Sequence, residues 1–315
     1  MKHRVRSLRD WVRRVGMRVR CERLRLSRQT TVTIVNYHQV TDEATRNWGP
    51  WRYAVTPRVF ETHVSRLASR YDVVTMDDIL AYIEDDSRSL PTNTAVVTFD
   101  DGYENTLKQA VPILERHGVP ATVYISTGLL GTAGPFEFRL AAALMHVDLS
   151  SIDSSDFDFL SGPLSDGYRR AYEQLRRPVK WKPPKIRERL LNALKRDTPE
   201  RASQMLTADQ VRTLADRDLI TVAAHGHEHV PLTTLSESLL RENIDTTVAQ
   251  FANVLGKVPR HFSYPYGAHD ESVQNAVSEA GFRTAVTTGS RIVHVNQLAA
   301  MQFSIPRIDG SVYTV

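Results

Sequence analysis

Thr94-Ala95-Val96-Val97-Thr98-Phe99-Asp100-Asp101-Gly102 decides how this chain folds. Its first six residues are apolar or β-branched and read as a short buried strand. The two aspartates then fall at the strand's carboxyl end. Gly102 permits a sharp turn, and Tyr103 to His117 carries a helical apolar pattern. Leu219 to Ala224 is a second strand of the same kind, with His225 at its carboxyl end. In α/β folds, open or closed, functional groups gather at the carboxyl ends of the strands. The aspartates and His225 are therefore expected on one face.

The same alternation extends in both directions. Thr31 to Tyr37 reads as the first strand and places His38 at its carboxyl end. Thr56 caps a helix that opens at Pro57. A short strand is expected over Tyr71 to Thr75, a helix over Met76 to Glu84 and a loop over Asp85 to Thr94. Val119 to Ile125 is the next strand, followed by Ser126-Thr127-Gly128. Thr207 and Gln210 have capping-box spacing at a helix start. A long amphipathic helix from Leu235 ends at Gly256. Strands over Arg260 to Tyr264 and Arg283 to Thr287 flank a helix over Asp270 to Ala280. Residues 136–206 break the pattern: they are rich in charge, with Pro178, Pro183 and Pro184 interrupting helices at Arg169 to Leu175 and Ile186 to Leu194. This stretch is read as a helical insertion over the mouth of the α/β unit, or as a peripheral decoration. No internal repeat, GxGxxG or GxxxxGK[ST] motif is present.

The chemistry lies in Asp100-Asp101 and in His225-Gly226-His227-Glu228-His229. Zinc takes imidazole and carboxylate ligands, and a catalytic site uses three of them with one position left open. Asp101, His225 and His229 complete such a set, leaving Asp100 beside it as a base. His227 alternates out of the set. Zn2+, Co2+, Ni2+ and Fe2+ all accept these ligands.

Thr98-Phe99-Asp100-Asp101-Gly102, His225-x-x-x-His229 and Phe262-Ser-Tyr-Pro-Tyr-Gly267 resemble, in order, the three motifs of the NodB-homology polysaccharide deacetylases, carbohydrate esterase family four. Val35-Asn-Tyr37-His38-Gln39-Val40 is similar to the Tyr-His opening of the exopolysaccharide-type members, and Ile305-Pro306-Arg307-Ile308 extends the likeness. It spans roughly residues 30 to 310. The resemblance implies a distorted (β/α) barrel with fewer than eight strands. It implies hydrolysis of the acetamide of an N-acetylhexosamine in a polysaccharide or lipid-linked precursor, with a divalent metal, most simply Zn2+, on Asp101, His225 and His229. Asp100 would be the base, and the backbone N–H of Tyr266 would stabilise the oxyanion.

Two departures matter. Many members open the third motif with an Arg that pairs with the catalytic Asp; here that position is Ser263. Arg307, at the end of a strand Phe303 to Ile305, is the candidate to supply the guanidinium, against the plainer reading of a surface Arg. The family's late catalytic His is matched only loosely by Ile292-Val293-His294, so His38 is the candidate acid. Two rival readings stay open: hydrolysis of another C–N bond, such as a cyclic ureide, and a glycan-binding protein disabled at Ser263.

Composition sets further expectations. The chain has 315 residues, 41% of them hydrophobic, enough for a core. Its one cysteine, Cys21, excludes an intramolecular disulfide and fits a reducing, cytoplasmic setting. No apolar run is long enough to span a membrane. Residues 1–28 hold eleven Lys/Arg against Asp10 and Glu22, a net of +9, whereas the whole chain is +4 and the remainder about −5. No apolar h-region follows, so a Sec signal is not expected. Val5, Leu8, Val12, Val15 and Val19 fall at helical spacing. Residues 1–29 are therefore read as a basic amphipathic helix ahead of a deacetylase-like unit over 30–315, able to lie peripherally on an anionic membrane. A partner helix or a misassigned start remain alternatives, and no nucleic-acid partner is expected. Trp48 and Trp51 could stack on sugar rings at the mouth or cap the core.

Overall fold

The computed structural model describes residues 30–42, 49–85, 87–149, 164–194 and 205–311. The basic segment 1–29 and Trp48 lie outside the described residues. Twelve strands occur among the described residues: β1 (Thr31–Tyr37), β2 (Gln39–Val40), β3 (Ala54–Val55), β4 (Asp72–Val73), β5 (Asn93–Phe99), β6 (Ala121–Ile125), β7 (Ile220–Ala224), β8 (His261–Ser263), β9 (Thr284–Thr287), β10 (Val293–His294), β11 (Ile305–Pro306) and β12 (Ile308–Asp309). The main sheet runs β10-β1-β5-β6-β7-β8-β9-β11. Only β10 is antiparallel to its neighbour, so seven strands of the path run parallel. Helices pack around them, as expected of a distorted (β/α) barrel.

Closure comes from the last described segment. β11 pairs with β9, and β12, one residue further on, pairs with β1. Residues 305–309 thus bridge the two open edges of the sheet, and Arg307 sits between the two pairings. The closure removes the exposed edges that such a sheet would otherwise present.

Side chains alternate between the two faces of each strand. Val32, Ile34, Val96, Tyr124, Ala223, Val286 and Ile305 form one buried cluster inside the barrel. Val35, Tyr37, Val97, Phe99, Val123 and Ala224 belong to a larger cluster beneath the helices. With both faces covered, the strands need near-continuous apolar sequence, which explains Thr94–Phe99. Two residues further along the inner parity come Asn36, Thr98 and Arg307, and two beyond Thr98 comes Asp100. The polar end of the barrel therefore follows directly from the strand period.

The helices obey their local signals. Thr207 and Gln210 form the expected capping box, with N–H donors 2.8 and 3.2 Å from the reciprocal side-chain oxygens. The long helix runs Glu237–Leu255 and ends at Gly256 in the left-handed conformation. The pattern over Tyr103 to His117 is not one uniform helix. A π-helical turn at Thr106–Ala110 precedes the α-helix Val111–His117. Pro112 lacks an N–H and would clash with the preceding turn, and the wider turn accommodates it.

The insertion differs from its sequence reading in two places. Pro178 lies inside the helix Tyr168–Lys180 rather than interrupting it. It falls in the last turn, where one lost backbone bond matters least, while Tyr172, Leu175 and Val179 stay buried. A further helix, Phe136–Leu144, was not legible because it is buried nearly all round and shows no amphipathic stripe. With Pro184–Leu194 these helices make their own core, and Trp51 joins it, fully buried 5.0 Å from the Phe138 ring. Trp51 is therefore a core residue, not a sugar platform.

Candidate active site

Adjacent residues of an extended strand point to opposite faces, yet Asp100 and Asp101 both face the barrel mouth. The backbone makes this possible. Asp100 continues the ladder, its N–H donating to the Tyr37 carbonyl at 2.9 Å. Asp101 then adopts φ 75°, a left-handed conformation costing a non-glycine residue roughly 1–2 kcal/mol. Gly102 follows at φ 88°, where a Cβ would come within 3.1 Å of Ile125 Cγ2.

Asp101 Oδ1 lies 3.4 Å from His225 Nε2 and 3.1 Å from His229 Nε2. All three residues are buried, and one ligand atom from each lies within 4.8 Å of the others. His225 Nδ1 is 2.7 Å from the Ser263 carbonyl oxygen. A carbonyl only accepts, so Nδ1 carries the proton of the neutral ring and Nε2 presents a lone pair to Asp101. Asp101 Oδ1 is buried without a hydrogen bond. Two imidazole Nε2 atoms and a carboxylate oxygen converging on one buried point are the donor set of a divalent cation, so the residues fit a metal of the zinc type. Without a cation between them, the carboxylates instead favour a proton on the ring, which a bound metal would displace. Burial works against charge on His225, but Asp100 and Asp101 raise its pKa above the ordinary value. Burial likewise opposes ionisation of Asp101, yet His229 and His225 hold its carboxyl well below the usual range.

Arg307 is fully buried and lies against Asp100. Its Nη1 donates to Asp100 Oδ1 at 2.8 Å and its Nη2 to Oδ2 at 2.6 Å. Nη1 also donates to Asn36 Oδ1 at 3.0 Å and Thr98 Oγ1 at 3.2 Å, and Nη2 to Ser263 Oγ at 2.9 Å. Nε reaches the Thr287 carbonyl at 3.3 Å. Asn36 Nδ2 donates to Asp100 Oδ2 at 3.0 Å. Burial alone would raise the Asp100 carboxyl, but Arg307 and His225 outweigh it and bring it down to about 2. Ser263 thus occupies the place where a guanidinium was missed, and accepts from the guanidinium that replaces it.

Asp100, Asp101, His225, His229, His38, Tyr266 and Arg307 all line one cavity of about 360 Å³. His38 is half-buried there, its ring 5.6 Å from that of Tyr53 and its Nδ1 without a partner. Tyr266 adopts φ 62° in the turn Pro265–Gly267. The turn's hydrogen bonds come from Gly267 N–H to Tyr264 O (2.7 Å) and Ala268 N–H to Pro265 O (3.2 Å), leaving the Tyr266 N–H out of both. Gly267 is required here: at φ 69°, a Cβ would lie 2.2 Å from Thr288 Oγ1. The Tyr266 ring packs 4.7 Å from that of His229.

The other histidines are elsewhere. His227 turns away to Thr127 Oγ1 at 2.9 Å, its N–H held by Asn243. His294 pairs with Thr31 at the amino end of β1. His38 lies beyond the opposite end of that strand, roughly 20 Å away at the usual rise per residue. The insertion, expected over the mouth, does line the cavity through Glu137, Tyr172, Arg176 and Lys180, although these individual positions were not singled out as site residues. Sequence reading also missed Arg187, which is buried and directs Nη1 to the His229 carbonyl at 3.4 Å.

Residues 87–285 match the family model described as polysaccharide deacetylase. The chain belongs to the polysaccharide deacetylase family. Solved structures similar to this deacetylase include Streptococcus pyogenes deacetylase PplD in complex with acetate, at TM-score 0.58 and 15% identity over 89% of this chain and 92% of that one. IcaB from Ammonifex degensii gives TM-score 0.57 at 18% identity, covering 89% and 91%. A de-N-acetylase from Aggregatibacter actinomycetemcomitans gives 0.58 at 16%, covering 90% and 97%. At these identities the likeness establishes the fold. Comparison with curated protein sequences gives no match.

Proposed function

We propose that this deacetylase is a metal-dependent hydrolase that removes the N-acetyl group from an N-acetylhexosamine in a polysaccharide or lipid-linked precursor. The observation that carries the reading is the convergence of Asp101, His225 and His229 beside an Asp100 held by Arg307. A divalent metal on those three ligands supplies Lewis acidity, polarising the acetyl carbonyl and acidifying water. Asp100 takes the proton of the attacking water on a carboxylate oxygen. Arg307 keeps that carboxylate ionised and fixes its plane, as a bidentate guanidinium does. The Tyr266 N–H, free of the turn's own bonds, donates to the developing oxyanion. His38 delivers a proton to the departing amine nitrogen, and the products are acetate and a free amine.

The rival binding-only reading rested on Ser263. With Arg307 on Asp100, that position gives no reason to expect a disabled base. Residues 1–28, with their net charge of +9, support a further part of the proposal: work on a lipid-linked glycan at an anionic, cytoplasmic membrane face. No helix among the described residues is long and apolar enough to cross a membrane.

The deciding experiment is acetate release from N-acetylglucosamine oligomers and from a lipid-linked N-acetylhexosamine, with zinc or cobalt added and an EDTA control. Metal-dependent release supports the proposal. No release by metal-loaded protein shifts the reading to a different amide. Sedimentation with anionic but not neutral vesicles tests the membrane part.

A further inference from the structure

We propose that the insertion reads a hydroxyl of the acetylated sugar through Glu137, Tyr266 and Lys180. This rests on the glycan reading above and assigns a specificity site within the same cavity.

The anchoring is local. Phe136 and Phe138 are buried on either side of Glu137 at the start of the helix Phe136–Leu144, which leaves Glu137 lining the cavity. Its Oε1 lies beside the buried Tyr266 hydroxyl, close enough for the two to interact with each other, and neither makes a hydrogen bond of good geometry. Leaving a buried polar group unpaired costs roughly 1–3 kcal/mol, and more for a charged one. Lys180 closes the group from above, its Nζ 4.1 Å from the Tyr266 ring centroid and 5.0 Å from that of Trp181. The other two cations of this wall are already committed. Arg176 donates to Glu173 at 2.9 Å, and Arg52 pairs with the same carboxylate. Glu137, Tyr266 and Lys180 therefore form a cluster on this wall with hydrogen-bonding capacity left for a ligand.

The capacity has a definite chemistry. A hydroxyl offers one donor and two acceptor lone pairs. It can donate to Glu137 Oε1 while accepting from the Tyr266 hydroxyl and the Lys180 ammonium. A phosphate or carboxylate would meet Glu137, an ammonium would meet Lys180, and an apolar group would leave all three unpaired. The place is also apt, since the Tyr266 ring separates this group from His229 by one ring contact of 4.7 Å. An N-acetylhexosamine carries hydroxyls on the carbons near its acetamide. A site built to bond a hydroxyl discriminates strongly against ligands lacking it.

The test compares Glu137→Ala, Glu137→Gln and Lys180→Met in zinc-loaded full-length protein. Two substrates are used: N-acetylglucosamine oligomers and an aryl acetate without hydroxyls. The expected result is a KM for the oligomer raised at least tenfold in Glu137→Ala with kcat changed far less. Glu137→Gln, which keeps an acceptor, should recover most of the loss, and the aryl acetate should not register the change. Equal losses on both substrates, or an unchanged oligomer KM, overturn the proposal. Calorimetric binding of the oligomer separates it from the deacetylase reading. Binding without turnover in the parent protein, weakened by Glu137→Ala, would sink the reaction and keep the hydroxyl site. Neither binding nor turnover would remove both.

Discussion

Arg307 and Asp100, 207 positions apart in sequence, meet through two parallel hydrogen bonds of 2.8 and 2.6 Å inside the barrel mouth. The pair sits where β11 and β12 join the two edges of the sheet, so barrel closure and control of the carboxylate are one structural event.

That pairing predicts a displaced pH profile. Asp100 is held down to about 2, against near 4 in an unfolded chain, so its share of stability is present above pH 4 and is lost as pH falls toward 2. In Arg307→Lys the bidentate geometry is gone and burial again favours the protonated acid. The acid limb of kcat/KM should move to higher pH, and kcat/KM at neutrality should fall at least tenfold, about 1.4 kcal/mol. Arg307→Met, which leaves a buried carboxylate unpaired, should cost roughly 3–5 kcal/mol in urea unfolding. An acid limb that stays put in Arg307→Lys would remove Arg307 from control of the base.

The two aspartates should separate by role. Asp101→Ala is expected to lose bound zinc and turnover together, measured by metal analysis after gel filtration. Asp100→Asn should retain the metal but lose kcat by roughly 10²–10⁴, the usual range for a positioned base. Retained turnover in Asp100→Asn would exclude it as the base.

His38 carries a prediction that depends on the leaving group. An amine needs a proton to depart; an activated phenolate does not. His38→Gln should therefore slow amide hydrolysis by about 10² while changing aryl acetate hydrolysis by only a few-fold. Equal losses on both would reassign His38 to binding or packing.

Gly267→Ala should destabilise the protein beyond the usual cost of a surface change. A Cβ there would lie 2.2 Å from Thr288 Oγ1 on a backbone at φ 69°. At roughly 2–4 °C of Tm per kcal/mol, a fall of at least about 4 °C is expected in calorimetry. Activity should fall further than the folded fraction, because the same turn aims the Tyr266 N–H. An unchanged Tm would mean the turn can relax without this glycine.

Much of this was legible in one dimension. Thr94–Phe99 announced its strand because burial on both faces demands continuous apolar sequence. Asp101 and His225 announced themselves as a carboxylate and an imidazole at strand ends, and His229 by its spacing from His225. Arg307 was nameable as a candidate only because Ser263 left a gap, and nothing local marks it as buried. What stayed hidden depended on partners far away in the chain. Glu137 and Lys180 read as ordinary charges in a charged stretch, and only packing of the insertion against the barrel turns them inward. Trp51 read either as a core cap or as a sugar platform, and the choice stayed open because its partner, Phe138, lies in a helix with no amphipathic signature. His294 had a suitable residue type but the wrong end of β1, and strand polarity at that point is not written in its neighbours.

The bridging segment 305–309 also imposes an order of events on synthesis. Asp100, Asp101, His225 and His229 all leave the ribosome well before Arg307. Until it arrives, the base has no counter-charge and the sheet has two open edges. On the proposed mechanism, a nascent chain would be hydrolytically impaired however complete its candidate metal ligands are. Any product cut short before residue 305 would keep two unpaired sheet edges and be sticky, a natural target for quality control.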